Sequence, residues 1–160
     1  MPDDLPPVDF LSLVSLAGAA IDRHVTEELV KAGFDEVRPA FGYVIQRLLT
    51  GPQQISAMAA DLGVAQQAIS KTVKEMVRLG FAEQSIDADD SRRRPVVLTA
   101  RGLAAVGKAR ASRSGLEKAL AHSVGADDLV SARVVVTALL AQLGLMDQVV
   151  TRTVPLPIDS

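Results

Sequence analysis

Residues 55–98 constrain this chain more than any other stretch. Ile55-Ser56-Ala57-Met58-Ala59-Ala60-Asp61-Leu62 has the apolar spacing of a short helix and stops at Gly63. A second helical stretch begins almost at once, near Ala65, and runs to about Leu79 before Gly80. Two helices joined by so tight a glycine turn form a helix-turn-helix. Phe81 to Ile86 and Pro95 to Leu98 have strand length, and Pro95 fits only at a strand start or on an edge strand. The loop between them ends in Arg92-Arg93-Arg94. The expected unit is a helix-turn-helix followed by a hairpin wing.

The flanks read as longer helices. A first helix is expected over 9–32, where Phe10, Leu13, Leu16, Ile21, Val25 and Leu29 keep helical spacing and Gly33 is a natural stop. A second should start near Arg38, with Pro39 in its first turn, and end near Leu49 before Gly51-Pro52. Ser56 is the expected N-cap of the third helix. Thr99 should cap a fifth helix reaching about His122. Gly102, Gly107 and Gly115 lie inside it, each costing about 1 kcal/mol relative to Ala, so packing has to hold it together. A sixth helix is expected over 127–143, after Gly125. Residues 1–8 and 151–160 are proline-containing arms.

Composition narrows the classes. With 48% apolar and 22% charged residues, the chain belongs with globular rather than disordered proteins. Aromatics are only 3%, so the core must be built from Leu, Val, Ile and Ala, which suits helices. There is no Cys, which removes disulfides, thiolate metal sites and thiol sensing within the chain. The N-terminus is acidic and lacks the basic region of a secretory signal, and Arg133 and Gln142 interrupt the most apolar window. A cytoplasmic location with no membrane partner is the expectation.

The net charge of −2 suits a DNA partner only when it is divided along the chain. Residues 1–36 carry eight acids and two bases, whereas residues 66–113 carry ten bases and five acids. The sequence therefore assigns positive charge to the fourth helix, the wing and the helix after it. Local sign, not net charge, decides which face meets phosphate.

The fourth helix places Ile69, Val73, Met76 and Val77 on its apolar side and Gln66, Gln67, Ser70, Lys71, Lys74 and Arg78 away from it. A B-DNA major groove admits one α-helix. Gln can pair with an adenine edge there, and Lys can donate to guanine. Gln66, Gln67, Ser70 and Lys71 occupy the N-terminal half, which reaches bases in a helix-turn-helix, while Lys74 and Arg78 are placed for phosphate. Arg92, Arg93 and Arg94 would repel one another at a hairpin tip without a partner. The narrow minor groove offers them one. Asp90 is spaced to pair with Arg92 and hold the loop.

These pieces together resemble the multiple-antibiotic-resistance regulator (MarR) family. The resemblance rests on Met58-Ala59-x-x-Leu62-Gly63-Val64, Ile69-Ser70, Leu79-Gly80-Phe81, Asp87-x-x-Asp90-x-Arg92 and Val97-Leu98-Thr99-x-x-Gly102, and it covers residues 35–122. It implies a mostly α protein with a small β-hairpin wing (α+β): a winged helix-turn-helix over 35–113, with a helical dimerisation domain from 9–34 and 114–150. It further implies a homodimeric repressor or activator on a pseudo-palindromic DNA operator, released by a small phenolic or anionic effector. Arg92 takes the family's wing-arginine position and Asp90 its pairing acid. Arg93-Arg94-Pro95 departs from the small residues commoner there, so three arginines stand as candidates for the groove.

Other classes find less support. Gly102 to Ala109 nearly spells a phosphate-binding loop, but Ala109 stands where the Mg²⁺-binding hydroxyl belongs. His24 and His122 are the only histidines, and no metal-ligand spacing appears, so no enzyme, metal or cofactor is expected. A non-catalytic helical protein-interaction module is the alternative, and it leaves the basic helix and wing without a role. His24, Tyr43 and Arg47 are the candidate polar groups for an effector pocket.

Overall fold

The computed structural model describes residues 8–85 and 94–147. The proline-containing ends and the wing tip fall largely outside that range, Arg92, Arg93 and Asp90 among them. Six helices and a two-stranded antiparallel hairpin follow in the order α1 (Phe10–Lys31), α2 (Pro39–Leu48), α3 (Ile55–Leu62), α4 (Gln66–Arg78), β1 (Ala82–Gln84), β2 (Val96–Leu98), α5 (Ala100–Val124) and α6 (Ala126–Gln142). The fold is the expected one, mostly α with a hairpin wing beside a helix-turn-helix.

Local chemistry sets most of the boundaries. Asp9 caps α1 by accepting from the Ser12 backbone N–H at 3.0 Å. Pro39 opens α2, where its missing donor is harmless. Gly63 takes the left-handed conformation (φ 66°) that the turn between α3 and α4 requires. Ser56 does not cap α3. The helix starts one residue before it, behind Gln54, and no side chain bonds the helix end. Val77 does not join the buried side of α4 but stays 40% exposed. The segment from Gly102 to Ala109 is uninterrupted helix within α5, not a phosphate-binding loop.

The core lies between the helix-turn-helix, the hairpin and the nearer ends of α1 and α5. Phe41, Val44 and Leu48 of α2, Met58 of α3, Ile69, Val73 and Met76 of α4, Phe81 and Val96 are all buried there. Val25 and Leu29 reach it from the last third of α1, and Ala105 from the start of α5. In the hairpin, Ala82 pairs with Leu98 and Gln84 with Val96. Gln53 adds a bridge to Val96, so an extended residue ahead of α3 extends the hairpin. No local sequence pattern signals this bridge.

One junction ties α4 to α5. The Thr99 hydroxyl donates to the Gly80 carbonyl at 2.5 Å and accepts the Gly102 N–H at 3.1 Å. Gly102 is required here. A Cβ on it would lie 2.1 Å from the Phe81 carbonyl oxygen. What reads as a helix weakness in the sequence is a close approach of two backbones.

Candidate nucleic-acid interface

The α4 helix divides cleanly. Ile69, Val73 and Met76 recur at i, i+4 and i+7 and are buried. Gln67, Lys71, Lys74 and Arg78 recur at i, i+4, i+7 and i+11, beginning two residues earlier. At about 100° per residue, an offset of two places that second row on the opposite side. All four are exposed, as is Gln66, and Ser70 is partly buried. Lys71, Lys74 and Arg78 have no ion-pair partner among the described residues. The one acid of α4, Glu75, is turned aside. Its Oε1 accepts from Arg38 Nε at 2.9 Å.

The bases after the wing behave differently. Arg101 pairs with Glu36 at 2.8 Å, Lys108 with Glu28 at 2.9 Å and Arg113 with Asp22 at 3.1 Å. The acids of the N-terminal third thus fold back onto α5. Positive charge assigned by sequence to the helix after the wing is largely matched there, and the unmatched part concentrates on α4. Arg94, the described member of the arginine run, is exposed just before β2.

Glu28 also accepts from Lys31 at 2.9 Å. Held between Lys108 and Lys31, its carboxyl falls from the ordinary 4.5 to about 2. The Lys31 pKa is correspondingly raised by the hydrogen bond that its ammonium donates to Glu28.

The three effector candidates do not converge. Tyr43 lines a cleft of about 370 Å³ between α1, α2 and α5, together with Asp22, Thr26, Arg38, Gln46, Arg110 and Arg113. His24 lines a separate open groove between α1 and α5, beside Glu28, Lys108 and Ser112. Arg47 lines neither. Its Nη2 donates to the Asp61 carbonyl at 3.3 Å, at the end of α3, where a cation meets the negative end of the helix dipole. Sequence reasoning missed Arg38, Arg110 and Arg113. The available signal was the i, i+3 spacing of Arg110 and Arg113 beside the apolar Ala105, Val106 and Ala109 of α5.

Among the described residues, no group of His, Cys, Asp or Glu is arranged to hold a metal ion, and no helix is long and apolar enough to cross a membrane.

No protein-family model and no curated protein matches the chain. Solved structures do. The chain is similar to a mutant of MepR from Staphylococcus aureus bound to an oligodeoxyribonucleotide, with TM-score 0.62 and 16% identity over 85% of this chain and 99% of that one. It is similar to the reduced form of MarR from Escherichia coli, with TM-score 0.64 and 18% identity over 85% and 99% of the two chains. YusO from Bacillus subtilis gives TM-score 0.64 and 23% identity over 82% and 91%. The helix-turn-helix, the hairpin and the flanking helices therefore share one arrangement with these proteins, and the chain has the MarR-type winged-helix fold.

Proposed function

We propose that this chain is a homodimeric, sequence-specific regulator of transcription that binds double-stranded DNA, as members of the MarR family do. The observation that carries the reading is the exposed polar face of α4, whose bases have no ion-pair partner among the described residues, set directly opposite a buried apolar face. In this reading the N-terminal half of α4 enters the major groove. Gln66, Gln67, Ser70 and Lys71 meet base edges, while Lys74 and Arg78 meet phosphate. The wing arginines Arg92, Arg93 and Arg94 are the candidates for the adjacent minor groove, with Asp90 as the acid to pair with Arg92. Repression is the sign we carry over from the resemblance.

The dimer is supported by uncovered apolar surface. Leu11, Leu13 and Leu16 of α1 and Val130, Val134 and Val135 of α6 are each at least half exposed, and α6 buries no residue. Uncovered apolar helix faces of this kind mark an interface. Residues 9–34 and 114–150 serve as the dimerisation segments, and 35–113 as the reading lobe. A second copy covering them would set two α4 helices on half-sites of one pseudo-palindrome.

The cleft beside Tyr43 supports effector control. Arg110 has no partner among the described residues, and it joins Tyr43 and an apolar wall from Val25, Leu29 and Val106. A small aromatic acid would satisfy both chemistries. His24 and Arg47 stay outside this cleft and are not part of the proposed effector site. A helical protein-interaction module would use the same apolar helices, but it gives the α4 face nothing to do.

The test is duplex binding at two salt concentrations. Lys74→Ala should weaken binding to all sequences and lower the salt slope by about 1. Gln67→Ala should change base preference more than non-specific affinity. Unchanged slope and preference in both variants would remove α4 from the interface.

A further inference from the structure

Arg101 is a base next to the wing, and by position alone it counts as a phosphate contact. Its surroundings give it different work. The guanidinium carbon lies 4.8 Å from the centre of the Phe81 ring and 5.7 Å from that of Phe34. The two rings are tilted by 50° with centres 6.4 Å apart, and Arg101 engages both. Its Nη2 donates to Glu36 at 2.8 Å.

The contacts belong to two different parts of the chain. Phe81 follows the end of α4, and its N–H bonds the Met76 carbonyl in the last turn of that helix. Phe34 and Glu36 lie in the link between α1 and α2, and the Phe34 N–H bonds the Leu29 carbonyl at the end of α1. Arg101 itself is in the first turn of α5. One side chain thus joins the C-terminal end of α4 to both long helices, α1 and α5. The planar guanidinium is suited to this, because it can face aromatic rings while its edge meets a carboxylate. An ammonium group has no planar face to stack on two rings at once.

We propose that Arg101 is a positioning residue that fixes the angle of α4 against α1 and α5, and so sets sequence discrimination without touching DNA. The proposal rests on the DNA-binding reading of α4. The coupling runs through packed groups that both ends share, and loosening it should let α4 tilt while its polar face stays intact.

The experiment compares Arg101→Lys, Arg101→Ala and Glu36→Gln in the full chain. Both Arg101 variants should lose about tenfold in affinity for a selected duplex and keep the wild-type salt slope and non-specific affinity. Glu36→Gln, which keeps the ring contacts, should change affinity by less than about twofold, because an exposed ion pair contributes little. Full rescue by Arg101→Lys, with a slope lowered only in Arg101→Ala, would overturn the proposal and make Arg101 a phosphate contact.

Amide exchange without DNA separates this claim from the reading beneath it. Arg101→Lys should speed exchange at the amides of Phe34 and Phe81, whose carbonyl partners are the helix ends being joined. Unchanged exchange at both would overturn the proposal even if the wild-type protein binds DNA. Faster exchange with no DNA binding by the wild type would instead uphold the link and defeat the DNA reading.

Discussion

Met76 of α4 is fully buried, whereas Val134 of α6 is 64% exposed, although both are aliphatic residues in helices of similar length. Met76 belongs to a core closed on every side by α2, the hairpin and the ends of α1 and α5. Val134 has α5 on one side of its helix, tied by the Arg133–Glu117 ion pair, and stays exposed on the other among the described residues. The same contrast runs within α1. Its last third contributes Val25 and Leu29 to the core, while Leu11, Leu13 and Leu16 lie open. The lobe completes its own burial. The outer helices leave apolar surface uncovered among the described residues.

If that contrast holds, substitutions in the two regions should fail in different ways. Phe81→Ala removes a fully buried ring that touches Phe34 and Phe41. It should cost about 3–5 kcal/mol in denaturant unfolding, with the same loss seen by helix content and by core-sensitive probes. A loss under 1 kcal/mol would mean that the lobe core is not closed. Val134→Asp should instead spare helix content. Sedimentation should report a shift from dimer to monomer, with dimer affinity down about 100-fold as a charge enters the apolar contact. A dimer of unchanged affinity would place the interface elsewhere.

A smaller effect is expected at the junction of the two regions. Thr99→Ala deletes both the α5 cap and the donor to Gly80, which should cost about 1–2 kcal/mol by thermal melting. Stability within a few tenths of wild type would show the junction to be redundant. The smallest effect is set by pH. Because the Glu28 carboxyl is depressed, its contribution is present above its ordinary value near 4.5 and fades as pH falls through about 2. Melting followed from pH 6 to pH 2 should show the α1–α5 contact weakening in that window. Glu28→Gln should flatten the profile, and an unaltered profile would sever Glu28 from it.

What the sequence disclosed depends on range along the chain. Pro39, Gly63 and Thr99 announce helix ends because their chemistry acts on neighbours only a few residues away. The α4 division into two faces was equally legible, since it needs one helix and its period. Only the placement of Val77 failed, at the edge of the apolar stripe. Contacts across the chain were not legible. Glu28 and Lys108 are 80 residues apart, and no local pattern pairs them. Gly102 looked like a cost in a helix because the Phe81 carbonyl that excludes a side chain there lies 21 positions earlier in the chain. Arg47 looked available for a ligand because the α3 carbonyl it serves is brought near only by folding.

Sequence reading by α4 can be tested by selecting binding sites from random-sequence duplex DNA at two salt concentrations. An enriched pseudo-palindrome whose half-sites lie about one helical turn apart, bound by a dimer, is the expected result. Weak, salt-sensitive binding without enrichment would contradict it, because the α4 face would then read phosphate and no sequence.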